Sequence, residues 1–250
     1  RMWGINDFYY AYAFSTHESI LRDADLLAEL APRTDNRPYC GVDCGWQVCG
    51  LVEGAPWDRG NMFFPDMPGL AAQIRERGQR PGIWARLLKT NERVPREWLR
   101  SDPGTGASLD PSQAEVLDYI VRGIRVMCRD WKYELLKHDF STVDLFGQWG
   151  KVMGKNPLSP KERGFADTTR TTAEIIIAFY RCIREAAGGA AILGCNTVGH
   201  LSAGLVEIAR TGDDTSGGSW EQTVRHGVNS LAFRMPHHGA FYQADADCVG

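Results

Sequence analysis

Lys137 and Asp139 stand two residues apart in Leu135-Leu136-Lys137-His138-Asp139-Phe140, where a short apolar run ends on an acid. Side chains alternate faces along a strand, so Lys137 and Asp139 point one way and His138 the other. A second acidic cluster, Arg210-Thr211-Gly212-Asp213-Asp214, also follows an apolar run, and other runs end in Asp43-Cys44 and Cys195-Asn196. Two carboxylates from different strands can serve as nucleophile and proton donor, and charged groups can bind hydroxyls in pairs. Trp46, Trp84 and Trp149 lie on or near the same edge, where indole planes can pack on the C–H faces of a sugar ring. Each part also has a plainer reading. Lys137 and Asp139 can be an ion pair capping a strand, Arg210 can neutralise Asp214 one helical turn away, and the Trp residues can be core.

Placing these groups on one edge requires strands that alternate with helices. Met2 to Tyr12 reads as a first strand and its loop, Tyr39–Asp43 as the second, Ile83–Leu88 as the third and Tyr133–Asp139 as the fourth. Ala191–Cys195, Leu205–Arg210 and Phe241–Asp245 supply three more candidates. Between them lie amphipathic helices. One is expected after a capping box at Ser15-Thr16-His17-Glu18, with Ile20, Ala24, Leu27 and Ala28 on its apolar face. Another covers Leu70 to Arg77, and a third begins with Asp110 as N-cap and Pro111 as first helical residue. A fourth spans Thr171 to Ala187 and stops at Gly188-Gly189, and Trp220 to Val228 is a short helix. The stretch from Asn196 to Gly204 is too short for a full helix, so the repeat is irregular there. Such alternation implies a parallel sheet with right-handed crossovers. Strand ends that are polar or Cys favour a rolled barrel, a (β/α)8 TIM barrel with the site at its carboxyl edge, over an open sheet.

The 250 residues suffice for one large domain, taken as 1–250. The chain starts at Arg1 and ends on Cys248-Val249-Gly250, which reads as part of a longer protein whose eighth strand lies beyond residue 250. A net charge of −3 gives no electrostatic case for nucleic acid or an anionic membrane. No apolar span is long enough to cross a bilayer. No Gly-x-Gly-x-x-Gly follows the first strand and no Gly-Lys-Ser/Thr loop occurs, which weakens a nucleotide-binding reading. Seven Cys residues are too scattered for a disulfide framework, and Cys40, Cys44 and Cys49 lack the C-x2-C pairs of a zinc site. A metal centre of Asp43, His138, His237 and His238 is disfavoured because His138 faces away from Asp139. No metal and no cofactor is expected. The compartment and oligomeric state stay open, a secreted or periplasmic location being favoured over a cytoplasmic one.

Against this background the chain resembles the catalytic barrel of clan D α-galactosidases, glycoside hydrolase families 27 and 36, and most of all bacterial family 36 enzymes. The resemblance runs in order through Trp3-Gly4-Ile5-Asn6-Asp7-Phe8-Tyr9-Tyr10, Val42-Asp43-Cys44-Gly45-Trp46-Gln47, Gly82-Ile83-Trp84, Leu136-Lys137-His138-Asp139-Phe140, Gly194-Cys195, Arg210-Thr211-Gly212-Asp213-Asp214-Thr215 and Asp245-Ala246-Asp247-Cys248. It implies a barrel whose flanking amino- and carboxyl-terminal β domains are outside this chain. It implies Asp139 as nucleophile in a Lys-x-Asp-Phe strand, and Lys137 as the holder of a sugar hydroxyl. The Arg-x-x-x-Asp spacing implies Asp214 as acid/base, with Asp213 as the rival. Cys195, with Asn196 after it, falls beside the sugar's 2-position, Trp84 and Trp46 along the pocket, and Asp43 on hydroxyls across the ring.

Cys44 departs from the family, which has a second Asp there. A thiol is a poor acceptor, and a charged hydrogen bond to a hydroxyl is worth about 1.5–3 kcal/mol. Its loss costs galactose roughly ten- to a hundred-fold in binding, unless another group takes over. The implied activity is that of a retaining glycosidase acting on a small carbohydrate with a terminal α-linked sugar, first of all an α-galactoside. The competing expectations are a transglycosylase, an α-N-acetylgalactosaminidase- or β-L-arabinopyranosidase-like enzyme, and a catalytically silent sugar-binding barrel.

Overall fold

Seven short apolar runs form seven parallel strands, each hydrogen-bonded to the next in sequence. They are β1 (Gly4–Asn6), β2 (Tyr39–Val42), β3 (Arg80–Ala85), β4 (Leu135–His138), β5 (Ala191–Gly194), β6 (Ile208–Arg210) and β7 (Gln243–Asp245). The computed structural model describes residues 1–31, 35–50, 52–100, 108–149 and 164–247. Sequential parallel pairing from β1 to β7 is the order of a (β/α) barrel, here a curled sheet of seven strands. Helices α1 (His17–Leu30), α2 (Met67–Glu76), α3 (Ala114–Arg125) and α4 (Thr172–Ala187) make the crossovers. No helix joins β5 to β6, as the length of that segment predicts. The β6-to-β7 crossover runs from Trp220–Gln222 through a π-helical stretch, Thr223–Val228, to Asn229–Arg234, further than sequence periodicity indicates.

Strand alternation sorts the side chains into two cores. Cys40, Val42, Ile83, Leu136 and Ile192 face outward onto the apolar stripes of the helices, among them Ile20, Leu70, Ile120 and Phe179. Each fully buried aliphatic side chain there contributes about 1.5–3 kcal/mol. Tyr39, Leu135, Ala191 and Ile208 face inward with Met2 and Leu193 as a smaller layer that plugs the barrel's amino-terminal end. Lys137 and Asp139 continue the inward row of Leu135, above that plug, and this is what lifts polar groups to the carboxyl edge.

The two outer strands, β1 and β7, are tied by side chains instead of a ladder. The Gln243 carboxamide accepts from the Met2 N–H at 2.9 Å and donates to the Met2 carbonyl at 2.6 Å. At the opposite end the Tyr9 hydroxyl donates to Asp247. Between these ties lies a cavity of about 630 Å³, apolar below at Ile5, Leu135 and Ile208 and charged above at Lys137, Arg210 and Asp247.

Two helix starts differ from the sequence reading. Thr16, not Ser15, caps α1, with Ser19 as its reciprocal partner, because the Ser15 hydroxyl is engaged by Asp7. Helix α3 begins at Ala114 behind Gln113. Asp110 is held in a turn instead, accepting from the backbone N–H of Ser112 at 2.9 Å and of Ala166 at 2.7 Å. For α4 the reading of its span holds and Gly188 ends the helix, while the structure adds a capping box between Thr171 and Glu174.

Candidate active site

β4 delivers Lys137 and Asp139 inward and His138 outward, as alternation requires. His138 is buried against Phe179 and Tyr180 of α4, its Nε2 2.5 Å from the Ser141 hydroxyl. Burial lowers its pKa to about 4, so the ring is neutral at ordinary pH. His138 belongs to the packing behind the strand, away from Asp43, and among the described residues no three His, Cys, Asp or Glu side chains gather as metal ligands.

Asp139 is gripped by three N–H donors. Trp84 Nε1 donates to Oδ2 at 3.0 Å, and Asn196 Nδ2 and the Phe140 backbone N–H donate to Oδ1 at 2.6 and 2.7 Å. Phe140 itself has a left-handed backbone (φ 67°). The Arg86 guanidinium covers the Phe140 ring at 4.3 Å while bonding Asp144, and so holds that conformation in place. Asn196 is left-handed too (φ 52°) and its carbonyl accepts from Thr142, which locks β5's end to β4's. Burial alone would push the Asp139 carboxyl up, but Lys137, Arg210 and these donors outweigh it and hold it below the ordinary carboxylate range.

The direct partner of Lys137 is Asp43, not Asp139. Its Nζ lies 2.6 Å from Asp43 Oδ2, which also accepts from Asn6 Nδ2 at 2.7 Å. Asp43 is fixed from behind: its backbone N–H donates to Asp7 Oδ1 at 2.7 Å, and its Oδ1 accepts from the Cys44 N–H at 2.7 Å. The turn needs Gly45, whose φ of 106° and contact with Ala13 leave no room for a Cβ. Cys44 is buried beside Asp43, and burial together with that carboxylate pushes its thiol well above the ordinary range. It stays protonated and neutral.

β6 supplies Arg210, whose side chain is 3% exposed. Its Nη2 is 2.7 Å from Asp214 Oδ1 although off the line of a hydrogen bond, its Nη1 is 3.7 Å from Asp247 Oδ2, and its Nε has no hydrogen-bond partner. Asp214 is half-exposed and is paired with Arg210. Burial raises its pKa; Arg210 opposes this, and Asp247 and Asp139 add to it. The upward push thus comes from burial and includes carboxylates distant in sequence. The loop is pinned by Gly212, where a Cβ would strike the His226 carbonyl at 2.0 Å, and by Gln222, which donates to the Asp214 carbonyl at 2.8 Å.

Asp43, Lys137, Asp139, Cys195, Asn196, Arg210 and Asp214 therefore converge on one edge. Cys195 is wholly buried beneath them, with Asn196 Nδ2 3.7 Å from its sulfur. Trp84 is buried and reaches the site through its indole N–H. Trp46 does not reach it: its ring is 0% exposed, packs edge-on against Trp131 and donates to the Trp84 carbonyl at 2.9 Å. Trp149 packs on Phe140 at 5.0 Å. Sequence reasoning gave no role to Asn6, Asp7, Tyr9 and Asp247; all four flank strands at the same edge, which was the available signal. Cys248 lies outside the described residues.

The fold is a curled (β/α) barrel that carries a charged cluster at the carboxyl ends of its strands. Among solved structures, an α-galactosidase from Thermus thermophilus, in complex with p-nitrophenyl α-D-galactopyranoside, matches 99% of this chain and 50% of its own at 21% identity and a TM-score of 0.65. The galactosidase domain of an α-galactosidase–sucrose kinase matches 98% of this chain and 33% of its own at 19% identity and a TM-score of 0.64. A family 36 α-galactosidase from Geobacillus stearothermophilus matches 78% and 28% at 19% identity and 0.52. The chain spans half or less of the length of each. What it shares with them is the fold of the α-galactosidase catalytic barrel. No protein-family model matches the sequence, and a comparison with curated proteins gives no match.

Proposed function

We propose that this chain is the catalytic barrel of a retaining glycoside hydrolase that removes a terminal α-linked sugar, with Asp139 as nucleophile and Asp214 as acid/base. The observation that carries the reading is the divergence of two carboxylates at one edge. Asp139 is held ionised by three N–H donors and two nearby cations, whereas Asp214 is pushed toward its protonated form. Asp139 Oδ2, with the indole as its hydrogen-bond donor, attacks the anomeric carbon as the bond to the leaving oxygen breaks. That oxygen takes the proton of Asp214. Water then attacks the same carbon, gives its proton to Asp214 and frees Asp139. Lys137 and Asp43 bind hydroxyls across the ring, and Arg210 steadies the Asp214 carboxylate each time it forms.

The fold likeness supports an α-galactoside as the first substrate to try. Buried Cys44 supplies a neutral thiol where a second carboxylate would grip a hydroxyl across the ring, so β-L-arabinopyranose, a galactose without the hydroxymethyl group, stands beside it, and α-N-acetylgalactosamine, which differs from galactose only at the 2-position, is a further candidate. The test is a panel of nitrophenyl glycosides of these sugars and α-glucose, with ¹H NMR of the first-formed sugar. One member of the panel is expected to release nitrophenol with retention of configuration. Inversion would rule out Asp139 as nucleophile, and binding without release throughout would favour a silent sugar-binding barrel. An added acceptor sugar separates transfer from hydrolysis.

A further inference from the structure

Asp247 stands at the same edge, two residues past the end of the last strand at Asp245, and neither proposed catalytic group is its hydrogen-bond partner. Its Oδ2 accepts from the Tyr9 hydroxyl and, at 2.8 Å, from the Thr215 backbone N–H. Its own N–H donates to Asp245 Oδ1 at 2.9 Å, and its backbone is left-handed (φ 62°). Such a conformation in a non-glycine residue persists only where the surroundings enforce it. Two neighbours therefore hold the carboxylate 3.7 Å from Arg210 Nη1, just short of contact, while the same guanidinium lies 2.7 Å from Asp214.

We propose that Asp247 and Tyr9 are positioning residues for Asp214: Asp247 competes with it for Arg210, and the Tyr9 hydroxyl keeps that competition from being won. With one guanidinium facing two carboxylates, every increment of attraction toward Asp247 is taken from Asp214. Thr215, next in sequence to Asp214, donates its N–H to Asp247, so the two acids are also joined mechanically. Tyr9 is well suited to the task. Burial and the Asp247 carboxylate keep its phenol protonated, so it donates at all working pH values. The charged and titratable groups acting on Asp214 include Arg210, Asp247, Asp139, Lys137, Tyr9, Cys195 and its neighbour in sequence Asp213, and those around Asp247 include Tyr9, Arg210, Asp245 and Asp214. This assignment rests on Asp214 being the acid/base only for its kinetic consequence.

The two partners predict shifts of opposite sign. Asp247→Asn releases Arg210 wholly to Asp214, favours the Asp214 carboxylate and lowers its midpoint. Tyr9→Phe frees Asp247 Oδ2 to close on Arg210, draws the guanidinium away and raises that midpoint. Each shift should be about one pH unit, the scale of one neighbouring charge. The experiment is ¹³C NMR of aspartate-labelled intact protein, in which the Asp214 signal is the one lost in Asp214→Asn, alongside the alkaline limb of kcat/KM. Opposite movements of the Asp214 signal in the two variants support the proposal. Coincident or absent movement overturns it. If the NMR midpoints diverge as stated while the alkaline limb stays fixed, the network stands and the acid/base role of Asp214 falls.

Discussion

Lys137 Nζ lies 2.6 Å from Asp43 Oδ2, although Asp139 stands two residues along its own strand. The ammonium thus joins β4 to the end of β2, and its effect on Asp139 is exerted through space. Asp43 is almost wholly buried, and Lys137 is 16% exposed. Removing one member of a buried ion pair leaves the other uncompensated.

Asp43→Ala is accordingly expected to cost about 3–5 kcal/mol in urea denaturation. Adding Lys137→Met should recover most of that loss by removing the stranded charge. Equal and additive losses in a double-mutant cycle would show that the pair is not coupled.

Trp84 and Asn196 act on Asp139 by donating to its ionised form, so their removal raises its pKa. Trp84→Phe and Asn196→Ala should each reduce kcat about ten- to a hundred-fold, the worth of one charged hydrogen bond. The sign for pH is fixed: the acid limb of kcat/KM moves to higher pH. Stopped assays across pH 3–7 check both, and an unmoved acid limb would deny these donors their role.

His138 couples stability to pH. Its folded pKa is depressed to about 4 from an ordinary 6.5, so the unfolded chain takes up its proton first on acidification. The contribution is complete above pH 6.5 and lost as pH falls toward 4, about 3 kcal/mol in all. His138→Gln should flatten the difference in urea midpoint between pH 7 and pH 4.5 relative to the parent protein.

The cysteines should react unequally. Cys49 is exposed, whereas Cys40, Cys44 and Cys195 are buried with thiols pushed upward, Cys40 to about 12. The thiolate is the nucleophile, so iodoacetamide at neutral pH should modify Cys49 and spare these three until the protein unfolds. Peptide mass mapping reads this directly, and early labelling of Cys44 would contradict its buried placement.

How much of this was legible in the sequence follows from the range of the interactions. The alternation in Leu135-Leu136-Lys137-His138-Asp139 is local, and it placed Lys137 and Asp139 inward and His138 outward. The amphipathic run from Thr171 to Ala187 and the Gly188 stop are equally local, and the fourth helix follows from them. Partner choice is not local. Lys137 finds Asp43 ninety-four residues away, and Arg210 faces Asp247 only because the last strand pairs in register beside β6. Trp46 was placed along the pocket because it follows Asp43 closely; the tight turn at Gly45 sends it into the core instead. The helix starts at Ser15 and Asp110 failed for one reason. A side chain that can cap a helix can also be claimed by a tertiary partner, here Asp7 and the backbone of Ala166.

The central claim is that Asp139 forms and breaks the bond to the sugar, and Asp139→Asn in the intact protein tests it most directly. The amide keeps the shape and the hydrogen-bonding oxygen but removes the attacking charge. Turnover of the best nitrophenyl glycoside should fall by at least about ten-thousand-fold, as for loss of a covalent nucleophile, while the thermal transition and circular dichroism remain those of a folded barrel. A folded Asp139→Asn protein that turns over within tenfold of the parent would contradict the account.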